Sequence, residues 1–455
     1  MNKKSLSALD LVLQEVRDLI QRIHNDVVST RQDEAVKLFR TGVRMRMFQN
    51  AEYGSLVLFA ERGDEYFDCV IDLNEAANRK IERMSRGAVE SAVQLAILKS
   101  LDSLKKQPGS EFAERLDAAL VELRNALSEQ AIPWSVHLEV WGLDTSGLPR
   151  TVGGTEFYIV DRVRLSQFLD HIGNIVHAMR NTDEEKEAAK KELSDQMSQG
   201  LLGKTYAHVR VSATDVNAAR ALALKRLRQT LDVVNFFTTI LGHSGARVYL
   251  PWEAKPYLAR SFTIANNLQE GNWGSSWEGP SVPFSFSQFE GKRSDASGFS
   301  RASTILEKGN ANPIENRVLS ALQWAGRASV EERKEEALLL FVVALESLLL
   351  DNTENQQLRY RFGVRGAHLL GGNLKSKTEI CGVLKHLYDL RSAVVHSGST
   401  DISDSDRDTA RHLAGRAIFR VLATDPFSTM TTEEEFAKWF EDQVLGPHDA
   451  TKSAP

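Results

Sequence analysis

Residues 337–350 run almost without interruption through apolar side chains, and the one ionisable group among them is Glu346. A helix that is apolar on nearly every side must be surrounded, either by other helices or by lipid. Fourteen residues fall short of the roughly 20 that a membrane crossing requires, so the segment predicts the central helix of a helical bundle. A lone buried carboxylate is too costly to leave ionised without compensation, so Glu346 needs a partner or an opening in the bundle. Arg391 and the group Arg359, Arg361 and Arg365 are the candidates, because helices joined by short connections pack together. A structural ion pair and support of a catalytic group both fit Glu346 at this stage.

The surrounding sequence agrees with a bundle. From residue 314 onward only helical periodicity is found, over 314–328, 331–350, 356–370, 376–396 and 403–423. A last helix is marked by the capping box Thr432-x-x-Glu435, the stripe Phe436, Trp439 and Phe440, and Gly446 as a stop. The earlier part mixes periods. Helical stripes cover about 6–28, 88–104 and 112–127, and Asp215 can cap a further helix carrying Leu224, Leu227, Leu231 and Val234. Period-two alternation at Val136, Leu138 and Val140 and at Ala207, Val209 and Val211 predicts strands, with weaker signals at 155–160, 247–250, 262–265 and 284–286. Gly, Ser, Asn and Pro become dense between 266 and 312. The expected organisation is an α+β regulatory or recognition region over 1–312, an all-α bundle over 313–425, and a terminal helix and tail over 426–455.

Composition narrows the function classes. A net charge of −5 over 455 residues argues against a protein that coats nucleic acid through a broad basic surface, though it permits a local basic cleft. The two cysteines, Cys69 and Cys381, are too far apart in sequence to indicate a disulfide framework or a metal-binding cluster, which points to a reducing compartment. The opening residues lack the uninterrupted apolar core of a secretion signal, and no segment is long enough to span a membrane, so the expectation is a cytoplasmic protein. No metal or cofactor is indicated.

Arg391-Ser392-Ala393-Val394-Val395-His396 places a permanent cation and a titratable base within about one and a half helical turns. Arginine offers a fork that matches phosphate oxygens, and histidine exchanges protons near neutrality. Together they suit RNA transesterification, in which the 2′-hydroxyl loses its proton and attacks the adjacent phosphorus. In a straight helix five positions turn the two side chains about 140° apart, so convergence needs a helix end near Val395, with Ser397-Gly398 as terminator. The plainer alternative is a surface cation followed by a histidine favoured by the C-terminal helix dipole.

Three ordered segments shift this weighing. Residues 344–349, then Arg359 through Leu370, then Leu387 through His396 resemble the HEPN superfamily, in its Apea-like branch, over roughly residues 314–425. The resemblance implies a four- or five-helix bundle, a homodimer, and metal-independent RNA cleavage through an arginine-x4–6-histidine motif matched by Arg391 and His396. Ser392 stands at the polar second position and Glu346 at the acidic position of the early helix. Gly398 occupies the place where some relatives carry a tyrosine linked to antitoxin modification. The resemblance further implies RNA as partner and antiphage defence in which a regulatory protein or phage-derived trigger acts through the N-terminal region; Arg359, Arg361 and Arg365 lie close to the motif, where steering of RNA phosphate and internal ion pairing fit them equally. The alternative from another class is a non-catalytic dimerisation or nucleotide-binding module.

Other motifs carry less. Residues 242–246 lack the final glycine of a nucleophile elbow, and His171 and His177 have no carboxylate partners for zinc. Arg220, Lys225, Arg226 and Arg228 read as a solvated basic face, and Trp273 and Trp277 as anchors of a glycine-rich loop.

Overall fold

The computed structural model describes residues 7–29, 45–50, 54–78, 83–101, 111–145, 149–179, 201–240, 247–251, 257–264, 271–278, 284–289, 298–350, 357–398 and 401–445, with isolated positions between 188 and 200. The chain is mostly helical, with small, largely antiparallel sheets that all precede residue 286 among the described residues. It divides into two compact units, Met1–Val136 with Arg210–Lys225, and His137–Val209 with Arg226–Pro455. The division therefore does not fall near residue 312. Residues 226–312 belong with the C-terminal helices because the helix ending at residue 240 is packed into them, as described below.

In the first unit, α1 (Ala8–Ser29), α2 (Ala60–Asn78), α3 (Arg86–Leu101) and α4 (Glu111–Leu127) share one core, built from Leu19, Ile20 and Ile23 of α1 and Tyr66, Val70 and Leu73 of α2 with apolar residues of α3 and α4. The hairpin of β1 (Met45–Asn50) and β2 (Gly54–Phe59) packs on α2. Both α2 and this hairpin lie where no element was expected.

A four-stranded sheet follows the order β3 (Ile132–Glu139), β7 (Thr205–Ala213), β6 (Thr155–Ile159), β5 (Arg150–Val152). The β5–β6 connection is the two-residue turn Gly153-Gly154, with φ of 56° and 74°, and two consecutive positive φ values define the turn type that matches strand twist. β4 (Leu143–Asp144) pairs with β10 (Phe284–Ser285), while 247–250 contributes an isolated bridge, Trp141 to Tyr249. The stretch read as a glycine-rich loop contains regular elements. Trp273 and Trp277 stand in β9 (Gly271–Glu278), which pairs with β8 (Tyr257–Ile264), and α7 (Phe299–Glu307) follows. Helix α5 (Arg162–Met179) carries His171 and His177, whereas residues 242–246 lie outside the described residues.

Helix α6 (Val216–Ile240) begins on Asp215, whose carboxylate accepts from the backbone N–H groups of Asn217 and Ala218 at 3.0 Å. Its Arg220, Lys225, Arg226 and Arg228 are exposed, and residues 230–238 are all buried. Four of those nine are polar and each has a hydrogen-bond partner. Asn235 brackets the backbone of Val248 with two 2.8 Å hydrogen bonds, for example.

The C-terminal helices are α8 (Pro313–Val330), α9 (Lys334–Leu349), α10 (Leu358–Leu370), α11 (Leu374–Ser397), α12 (Asp404–Ala423) and α13 (Glu433–Leu445). Capping boxes start four of them: Asn312 with Glu315, Asn373 with Ser376, Ser403 with Asp406, and the expected Thr432 with Glu435. The apolar run forms α9 as expected and packs against α8, α10, α11 and α12. Helix α8 meets α6 so closely at Gly326 that a Cβ there would stand 1.9 Å from the Asp232 carbonyl oxygen. Arg327, one residue on, donates to the Asp232 carboxylate at 3.1 Å.

Candidate functional site

Helices α8, α9, α10, α11 and α13 together wall a cleft of about 760 Å³. Glu346 enters it from the last turn of α9, and Arg391 from α11. Their charges stand 3.6 Å apart, Arg391 Nη2 to Glu346 Oε2, with 28% and 18% of the side chains exposed. That separation exceeds a hydrogen bond, so the two groups attract without consuming each other's bonding capacity. Arg391 Nε is buried and has no hydrogen-bond partner among the described residues. Burial pushes the Glu346 carboxyl above the usual carboxylate range, and Arg391 opposes that shift. Tyr388, one turn before Arg391, also lines the cleft and packs its ring on Phe362 of α10 at 5.7 Å. Burial, reinforced by the nearby Glu346, raises its phenol, so the hydroxyl keeps its proton.

The opposite wall holds a second cation. Arg317 of α8 spreads its Nε across both Glu433 carboxylate oxygens at 2.8 Å and donates from Nη1 to the Leu350 and Ser347 carbonyls at 2.7 and 3.3 Å. It thereby satisfies carbonyls left open by the end of α9 while holding the start of α13. Phe436 and Phe440, both buried, fix the rest of α13.

Of the residues expected at the site, Glu346 and Arg391 come together and His396 does not join them. Helix α11 continues to Ser397 and ends on Gly398 in the left-handed conformation, φ 64°. The terminator is the one expected, but the helix runs past Val395. Arg391 and His396 are therefore about 140° apart around the helix and about 7.5 Å apart along it. His396 is exposed and does not line the cleft, and Ser392 is half-buried beside Arg391 without lining it either. Arg359, Arg361 and Arg365 also stand outside the lining. Arg359 grips Asp389 through two 2.6 Å bonds, which offsets the charge it would lend to steering. Arg365 donates to the Leu349 carbonyl at 2.9 Å and lies over the Phe440 ring.

A second titratable cluster occupies one face of the sheet. The His137 and His208 rings stack at 4.5 Å and 13°. His137 Nδ1 meets the Tyr158 hydroxyl at 2.7 Å, while Glu156 receives Arg164 at 3.0 Å and lies 3.4 Å from His208. Burial, with His208 alongside, lowers the His137 imidazole to about 4. Period-two alternation assigns these residues to a face but gives no sign that they meet.

No family model matches this chain, and no curated protein or solved structure matches it. No helix among the described residues is long and apolar enough to cross a membrane.

Proposed function

We propose that the protein is an endoribonuclease of the HEPN type, in which Arg391 binds the scissile phosphate, Glu346 holds Arg391 in the cleft, and His396 exchanges protons. The observation that carries this reading is the Glu346–Arg391 pair, joined across α9 and α11 at an open cleft, with a histidine exposed farther along α11. Cleavage would form the bond from the 2′-oxygen to phosphorus and break the bond to the 5′-oxygen. The base takes the 2′-hydroxyl proton and an acid returns one to the leaving oxygen. RNA carries its own nucleophile, so the chain has to supply positioning, charge stabilisation and proton transfer. Because His396 faces away from its own cleft, a second copy supplies the histidine in this reading, and the active species is a dimer. The N-terminal region restrains or triggers the enzyme, in keeping with a role in antiphage defence.

The test expresses wild type, Arg391→Ala and His396→Ala and examines total RNA for new ends bearing 2′,3′-cyclic phosphate. Wild type is expected to cut and each variant to be silent. Mixed with exchange of subunits, the two variants are expected to recover part of the activity, because one composite site per heterodimer is intact. Cleavage by His396→Ala at the wild-type rate would refute the reading. The position of His396 outside the cleft favours a second reading, a non-catalytic nucleotide- or RNA-binding module. It predicts binding that depends on Arg391, is indifferent to His396, and leaves RNA uncut.

A further inference from the structure

We infer that an anion gripped by Arg391 enters the cleft together with a proton, which Glu346 takes up. The ligand class, a phosphate ester, rests on the functional reading above, whereas the coupling rests on the geometry of the cleft. Glu346 is mostly buried, and among the described residues its carboxylate has one counter-charge, Arg391 at 3.6 Å, and no hydrogen bond. The charged and titratable groups around it are few. Helix α11 contributes Arg391 and Tyr388, α8 contributes Arg317, and α13 contributes Glu433, while α10 contributes the apolar Leu358 and α12 adds no residue to the lining. Arg317 is committed to the Glu433 carboxylate, so it does not replace Arg391 as the counter-charge of Glu346.

An anion on Arg391 brings a negative charge into the same low-dielectric space and offsets the attraction that keeps Glu346 ionised. The buried carboxylate then faces its desolvation cost together with like-charge repulsion, and both favour the neutral acid. By linkage, what favours the protonated form on binding makes the affinity rise as pH falls. Arg391 lines the cleft with 28% of its side chain exposed, and its Nη2 stands beyond hydrogen-bond reach of Glu346, so the guanidinium still has a bond to give there.

The experiment titrates the full-length protein calorimetrically with a 2′-O-methyl dinucleotide, whose diester charge does not titrate and which cannot be cleaved. Sulfate serves as the plain-anion arm. Runs at pH 6 to 8 in buffers of different ionisation enthalpy count the protons taken up. Wild type is expected to take up a proton and to lose affinity towards tenfold per pH unit at the alkaline end. Glu346→Gln, which keeps shape and removes the charge, is expected to bind with an affinity flat in pH and no buffer-dependent heat. Arg391→Ala is expected to lose binding. Dinucleotide binding with weak sulfate binding identifies the ester, and equal binding identifies a general anion site; both support the inference if the proton count holds. A flat affinity in wild type, the same slope in Glu346→Gln, or no binding of either probe overturns it. Cleavage with flat affinity removes this inference and leaves the nuclease reading intact, and proton-linked binding without cleavage does the reverse.

Discussion

Replacing Gly326 by alanine should loosen the contact that seats the Arg317 wall of the cleft on α6. The added methyl carbon would lie 1.9 Å from the Asp232 carbonyl oxygen, 2.5 Å from its carbon and 2.8 Å from its Cα. All three are backbone atoms, so no rotamer change relieves the clash, and α6 and α8 must separate by roughly 1 Å to restore ordinary contact. Helix α6 cannot yield freely, because residues 230–238 are buried throughout. Overpacking of this kind costs about 1–3 kcal/mol and at a backbone contact falls at or above the upper end. Alanine recovers up to about 1 kcal/mol through its better helix propensity. A net loss of about 2 kcal/mol remains, equivalent to roughly thirtyfold faster amide exchange in α6 and α8 if they open locally. Hydrogen exchange read by mass spectrometry measures this directly. Gly382 on α11 is the internal control, since a Cβ there meets no atom within 4 Å. Gly382→Ala should therefore slow exchange in α11. Unchanged or stronger protection of α6 and α8 in Gly326→Ala would refute the argument.

Two further perturbations test other parts of the molecule. His137 titrates near 4 when folded, against about 6.5 for an unperturbed histidine, so the unfolded chain binds the extra proton first as pH falls. Its contribution is complete above pH 6.5, declines through the window from 6.5 to 4, and is gone below it. Partial exposure of the ring reduces the amount to about 1–2 kcal/mol, and His137→Gln should flatten this part of the stability–pH curve in urea titrations; parallel curves would contradict the assignment. Arg317→Ala strands the Leu350 carbonyl and the Glu433 carboxylate and should weaken α13 docking by about 1–3 kcal/mol, seen as faster exchange across residues 433–445 with α12 unaffected.

The bundle was legible because its signals are local and dense. The apolar run forms α9 on its own terms, and helix order along the chain was enough to place Arg391, with Arg359, Arg361 and Arg365, among the candidate partners of Glu346. Helix α2 is hard to read from sequence although Tyr66, Cys69, Val70 and Leu73 form a regular stripe, since acidic residues and Gly63 dilute it. The weak strand signal at 262–265 falls at the end of β8, whereas its partner β9 hides in a composition typical of loops, because backbone pairing carries a strand that side-chain propensity does not announce. Arg317 and Glu433 meet across 116 positions, a pairing decided by where Phe436 and Phe440 dock. The offset of His396 hinged on two residues at the end of α11, the scale on which helix boundaries escape sequence reasoning.

The bond between Arg317 and Glu433 has a consequence for the newborn chain. Synthesis proceeds from the N-terminus, so the arginine wall and the Glu346–Arg391 pair emerge before the acidic side chain that caps Arg317. During that interval the nascent bundle presents one more uncompensated positive charge than the finished molecule. The arrival of α13 restores the local balance, so the electrostatic character of this pocket is set late in translation.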